Sequence, residues 1–259
     1  MSAAAAEGAG PLGRARSNLG ALGPREMSAS LPDYVRMVTD GERAFAGAIE
    51  EMTRVEVAAR GARITRQRIR SSGFPYARTL ADFDWPSQPT VPRARVEGLA
   101  TLRFAERAES VVLVGGPGVG KARLAVAIGI EAVGAGREVR FMECARPVED
   151  LRDAQSRGIL KKRPQYHGHS KLLVVDELGY LGIGKDGADP LFQSMSARYE
   201  RRSVATTNVG IGGWAKVLGD EVTASAITDR ACHHCHPIRI TGRSYRPKDP
   251  PTDRKQSAR

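Results

Sequence analysis

The sequence predicts an α/β protein: a largely parallel sheet alternating with helices, preceded by a helical N-terminal region. Three observations carry this expectation. Short apolar runs such as Ser110-Val-Val-Leu-Val and Lys171-Leu-Leu-Val-Val-Asp read as strands, because a strand covered on both faces needs no polar alternation. Helical stretches separate these runs, the order expected of strand–helix–strand units. The first run feeds directly into Gly115-Gly-Pro-Gly-Val-Gly-Lys121, a glycine-rich turn that opens a helix, which is the context a P-loop requires.

The elements follow in chain order. Residues 1–29 are rich in Ala, Gly and Ser without periodicity and read as a disordered tail. Residues 30–75 read as a helical DNA-binding and assembly region, helical from Leu31 to Arg70. Within it Phe45, Ile49 and Met52 fall at i, i+4 and i+7 and make one apolar stripe. Arg63, Arg66 and Arg70 fall at i, i+3 and i+7, so three guanidinium groups share a helical face. Gly73 and Pro75 end the region.

The core is expected over residues 76–246. It begins with Thr79-Leu-Ala-Asp-Phe-Asp-Trp, whose Phe83 and Trp85 read as rings packed against the core, and Pro86, Pro89 and Pro92 keep this stretch out of helix. Val96–Arg107 reads as a helix, Ser110–Val114 as a strand, Arg123–Val133 as a helix and Glu138–Met142 as a strand. Val148–Gln155 reads as a helix, Lys171–Asp176 as a strand, Leu191–Tyr199 as a helix, Ser203–Thr207 as a strand and Ile238–Thr241 as a short last strand. Residues 247–259 read as a basic disordered tail. No repeat of 20–50 residues is present.

Charge narrows the partners. The formal net charge is +11 and the pI about 10.0, so a polyanion is the expected partner. The excess sits in two flanks: seven Arg against Glu56 between Arg54 and Arg78, and eight basic against two acidic residues between Arg230 and Arg259. Double-stranded DNA fits this pattern, with Arg63, Arg66 and Arg70 as phosphate contacts; a solvated helix face and a charged tail are the plain alternatives. Aromatic residues are only 5% of the chain, which argues against reading bases mainly by stacking. Three Cys are too few for a disulfide scaffold. No apolar run approaches the ~20 residues of a membrane span, and the N-terminus lacks a secretory pattern. The expected location is the cytoplasm.

The glycine-rich loop carries the chemistry. Gly115, Gly116, Pro117, Gly118, Val119 and Gly120 let backbone N–H groups converge on phosphate oxygens at a helix N-terminus, and Lys121 adds a full positive charge. The implied ligand is ATP with Mg²⁺. One position departs from the motif: Ala122 stands where Ser or Thr would ligate Mg²⁺, and the adjacent Arg123 offers only cationic donors. Nucleotide binding survives that change better than hydrolysis, which needs the metal between the β- and γ-phosphates.

Two further strand ends complete the expected site. Lys171-Leu-Leu-Val-Val runs into Asp176 and Glu177, where parallel sheets bind ligands. Asp176 reads as the Mg²⁺ ligand and Glu177 as the general base acting on the attacking water. After Ser203-Val-Ala-Thr-Thr, Asn208 reads either as a contact to the γ-phosphate or its water, or as a turn-forming residue.

In this order the motifs resemble the IstB-like ATPases, helper subunits of a class of bacterial transposons. The match runs from about Phe74 to Arg246. It includes Thr79-Leu-Ala-Asp-Phe-Asp, Leu102-Arg-Phe, Val174-Val-Asp-Glu-Leu-Gly-Tyr-Leu, Arg198-Tyr-Glu-Arg, Trp214, Ala226-Ile-Thr-Asp-Arg230 and Ser244-Tyr-Arg246. The resemblance implies an AAA+ P-loop NTPase core, ATPase activity, self-assembly into a homo-oligomer on DNA, and partnership with a transposase. It makes Asp176 and Glu177 the Walker B pair, Asn208 the sensor residue, and Arg230 the arginine supplied across a subunit interface. From the residues alone, Asp229-Arg230 reads equally as an intrachain salt bridge. Two alternatives follow: a non-hydrolysing, nucleotide-sensing DNA scaffold, motivated by Ala122, and a helicase loader of the DnaC type. Cys232-His-His-Cys235-His invites a zinc reading, but a second ligand pair is absent; the segment reads instead as a helix end that packs one Cys and exposes its histidines.

Overall fold

The computed structural model describes residues 10–143, 170–178, 202–214, 225–226, 228, 234–242 and 244. The chain divides into two compact units, residues 1–67 and 68–259. The division falls inside a helix, eight residues before the expected boundary at residue 75.

The first unit is helical. It holds α1 (Pro11–Leu22), α2 (Arg25–Thr39) and most of α3 (Phe45–Ser71). The disorder expected over residues 1–29 is therefore corrected from Pro11 onward. Pro11 sits in the first turn of α1, where its missing N–H costs no hydrogen bond, and the N–H of Gly23 closes the helix on the Leu19 carbonyl at 3.0 Å. Pro24 gives α2 no side-chain cap. Glu56 of α3 supplies one instead, accepting the N–H of Glu26 at 2.7 Å and of Met27 at 3.2 Å. Composition cannot display a cap that comes from a distant helix.

Two further expectations change here. The continuous helix from Leu31 to Arg70 breaks after Thr39 and resumes at Phe45. The buried stripe of α3 is Ala48 and Met52, whereas Phe45 is 69% and Ile49 40% exposed; the helix is turned about one residue from the predicted apolar face.

The second unit is built on five described strands: β1 (Ser110–Gly115), β2 (Val139–Glu143), β3 (Leu172–Asp176), β4 (Arg202–Thr207) and β5 (Cys235–Ile240). They pair in the order β2-β3-β4-β1-β5, each pair parallel. Val111 to Leu113 and Leu172 to Val175 are buried, as expected of strands covered on both faces. Helix α6 (Lys121–Gly134) follows the glycine-rich loop and buries Leu124, Ile128 and Val133 in the same core, each worth about 1.5–3 kcal/mol of transfer free energy. Leu102 adopts the left-handed conformation, φ 62°. It therefore splits the expected helix Val96–Arg107 into α4 (Arg93–Ala100) and α5 (Arg103–Glu106). Phe83 lies in the core as predicted, edge-on to Trp85 at 4.8 Å between ring centroids, and Arg93 covers the Trp85 ring. Beyond the last turn of α3, Ser72 continues onto the outer edge of β2 through a bond from the Phe141 N–H at 2.8 Å.

Strand β5 begins three residues earlier than expected. Cys235 and His236 are thus strand residues, which corrects the helix-end reading, and His236 meets Glu109 at 2.7 Å. No metal-ligand cluster occurs among the described residues. The helices expected at Val148–Gln155 and Leu191–Tyr199, and Cys232 and His233, lie outside the described residues.

Candidate nucleotide site

The glycine-rich loop spans the turn from β1 to α6, at the carboxyl edge of the sheet. Its shape is enforced from both ends. A Cβ at Gly115 would collide with the backbone carbonyl of Ile240 on the adjacent β5. Gly120 holds φ 94°, a region that disfavours every residue with a Cβ; a side chain there would also press on the Phe83 ring at 3.0 Å. Lys121 opens α6, is 7% exposed, and donates to the Gly116 carbonyl at 2.6 Å. Its ammonium thus folds back over the loop whose N–H groups it would assist. Ala122 offers no hydroxyl at the next position.

Arg123 sits near the turn Leu80–Asp82. The Asp82 carboxyl is held below its ordinary value of 3.8, first by the N–H of Thr79 and then by its hydroxyl, against the cost of burial, with help from Arg78 and Arg123. The Thr79-Leu-Ala-Asp-Phe segment is a capped turn whose Phe83 ring lies beside Gly120 of the loop.

Across the sheet, β4 separates β1 from β3. At about 4.7–4.9 Å per strand, the ends of β1 and β3 are roughly 10 Å apart, a span that accommodates phosphate groups and a hydrated cation. Asp176 closes β3. The Thr206 side chain on β4 donates its hydroxyl proton to Asp176 Oδ1, and Thr206 Oγ1 in turn accepts the N–H of Glu177 at 3.0 Å. The Leu178 N–H adds a bond to the Thr206 carbonyl at 2.8 Å. Glu177 holds φ 58°, a conformation uncommon outside glycine that gathers at functional sites. Thr206 is 1% exposed and was not among the predicted site residues. The available signal was the polar step Ala205-Thr206-Thr207 at the end of a buried strand.

Asn208 follows β4, between Thr207 and Val209, which are bonded to each other. Thr207, fully buried, accepts from Trp214 Nε1 at 3.2 Å and donates to the Val209 carbonyl at 2.8 Å. A cavity of about 780 Å³ opens at the ends of β4, β1 and β5, with Asn208, Gly116, Arg95 and Arg239 on its walls.

The donor set fits nucleotide and metal. The loop offers backbone N–H groups and a lysine to phosphate, and Asp176 offers one carboxylate, the kind of partial protein shell Mg²⁺ accepts when phosphates and water supply the rest. Of the expected residues, the fold brings Gly115 to Arg123, Asp176, Glu177 and Asn208 to one edge. Arg230 lies outside the described residues. Arg63, an expected phosphate contact, has its guanidinium held by Glu56 at 2.7 Å and Glu26 at 3.1 Å. Arg66 and Arg70 are exposed.

Residues 17–252 match the model of the family described as IstB-like ATP binding protein. An ATP-binding protein of insertion sequence IS21 from Pseudomonas aeruginosa is 40% identical over 183 residues, 70% of this chain and 69% of that protein. One of insertion sequence IS232 from Bacillus thuringiensis subsp. berliner is 33% identical over 234 residues, 90% of this chain and 94% of that protein. Among solved structures, DnaI superposes with a TM-score of 0.54 at 22% identity, covering 70% of this chain and 93% of that one. The replication initiator DnaA bound to AMPPCP and single-stranded DNA gives 0.53 at 16% identity over 65% of this chain, which spans about half (51%) of the DnaA chain. The strand order, the loop and these matches agree: the chain belongs to the IstB-like ATP binding protein family, with a parallel α/β P-loop core that shares its fold with DnaI and DnaA and a helical N-terminal region.

Proposed function

We propose that this chain binds ATP and Mg²⁺ between Gly115–Arg123 and the Asp176–Glu177 strand end, assembles on duplex DNA, and assists a transposase. The observation that carries the nucleotide part is the enclosed loop, with Gly115 fixed against β5 and the buried Lys121 at the head of α6. The transposition part rests on the insertion-sequence relatives, which share most of this chain's length. The cytoplasm is the compartment in which these partners meet.

In this reading Lys121 and the loop N–H groups bind the phosphates. Asp176 would hold Mg²⁺, which when bound neutralises charge between the β- and γ-phosphates. Glu177 takes the proton of the attacking water and Asn208 orients that water. Arg230 serves a neighbouring subunit's nucleotide in a homo-oligomer. The first unit contacts DNA through Arg66, and through Arg25 and Arg60, which line a cavity of about 340 Å³; Arg70 adds a contact near the end of α3.

Ala122 favours a second reading, a nucleotide-sensing DNA scaffold without turnover. Steady-state phosphate release with Mg²⁺ and duplex DNA separates the two. Release above that of Lys121→Ala supports the ATPase; nucleotide binding without such release leaves the scaffold.

A further inference from the structure

We infer that Thr206 is the positioning residue of this site, holding the Asp176 carboxylate and the Glu177 backbone with one hydroxyl. The inference rests on the nucleotide reading above and deepens it. Thr206 Oγ1 donates its proton to Asp176 Oδ1 and accepts the Glu177 N–H at 3.0 Å. A hydroxyl has one proton and two lone pairs, so this pair of bonds commits the proton to Asp176 and one lone pair to Glu177. The bond to Oδ1 restrains the rotation of the carboxylate and leaves it further lone pairs for a cation. The bond from the Glu177 N–H supports a backbone at φ 58°, which a residue with a side chain holds only when its surroundings demand it.

The position gains weight from Ala122. P-loops with Ser or Thr after the lysine share metal binding between that hydroxyl and the acidic strand end. Here the loop contributes no hydroxyl, so the protein's hold on the cation falls on Asp176, and the orientation of Asp176 falls on Thr206. Hydrogen-bond partners behind a metal ligand typically change metal affinity or activity roughly 10- to 100-fold when removed. Thr206 is 1% exposed and lies on a central strand, which makes its hydroxyl a fixed reference rather than a surface rotor. The role is distinct from that of Asn208, which lies beyond the end of β4.

The test uses the full chain with Thr206→Val, which keeps shape and β-branching but removes the hydroxyl, and Thr206→Ser, which keeps the hydroxyl. A fluorescent ATP analogue is titrated in EDTA. Mn²⁺ binding to the nucleotide-saturated protein is then followed by electron paramagnetic resonance. Thr206→Val is expected to bind nucleotide in EDTA as the parent does, but to hold Mn²⁺ roughly 10- to 100-fold more weakly. Thr206→Ser is expected to stay close to the parent in both. Mn²⁺ affinity unchanged in Thr206→Val overturns the assignment. So does a Ser variant as weak as the Val variant, or a Val variant that loses nucleotide in EDTA to the same extent. If the parent chain itself binds no nucleotide in EDTA, the nucleotide reading falls, and this inference with it.

Discussion

Arg63 lies 2.7 Å from the Glu56 carboxylate, and that carboxylate in turn caps α2 through the N–H groups of Glu26 and Met27. Burial pulls the Glu56 carboxyl upward, but the Met27 N–H, the Arg63 guanidinium and the Glu26 N–H outweigh it and hold the group below its ordinary value of 4.5. A carboxylate whose folded value is depressed contributes stability above its unfolded value, and that stability is lost as pH falls through the folded value. The helical unit is therefore expected to lose melting temperature on acidification below about pH 4.5. Glu56→Gln is expected to be less stable at pH 7 and to flatten that acid limb, as read by far-ultraviolet circular dichroism. An equal acid limb in both proteins contradicts the assignment.

The same contact separates the arginines of α3. Arg66→Ala and Arg70→Ala are each expected to weaken duplex DNA binding and to reduce the log–log salt slope by about 0.9. Arg63→Ala is expected to lower stability instead, since it leaves Glu56 without its cation. Fluorescence anisotropy across a salt series, beside thermal melts, distinguishes these outcomes.

Lys121→Ala is expected to weaken ATP binding by roughly 10- to 100-fold, because hydrogen bonds to charged groups are worth about 1.5–3 kcal/mol. Isothermal titration with ATP measures it. An unchanged dissociation constant would remove the lysine from the site.

Ala122→Thr restores the missing hydroxyl beside an otherwise intact acidic strand end. It is expected to raise Mg²⁺-dependent phosphate release on the order of tenfold or more, since a well-held cation supplies several kcal/mol at a phosphoryl group. A release rate equal to the parent's means that the hydroxyl is not what limits turnover.

What was legible in the sequence was local. The strands β1 and β3 announce themselves as apolar runs, and the loop between β1 and α6 carries its glycines and lysine in consecutive positions. What was hidden depends on partners far along the chain. Glu56 caps residues 29 and 30 positions away, and Thr206 reaches Asp176 across 30 positions, so neither role leaves a periodic trace. Leu102 is a third kind of case. Nothing in a leucine signals a left-handed backbone, yet its φ of 62° ends α4. The disorder expected over residues 1–29 rested on composition, which shows low hydrophobicity but not the helices α1 and α2.

The collision that a side chain at Gly115 would make with the Ile240 carbonyl has a consequence for how the site comes into being. The motif is synthesised before β5, yet one wall of its pocket belongs to β5, the last of the described strands. A nascent chain that has emerged only through β4 carries every residue of the loop and no finished cradle. Nucleotide should therefore act as an inspector of completed folding, stabilising molecules in which β5 has docked beside β1.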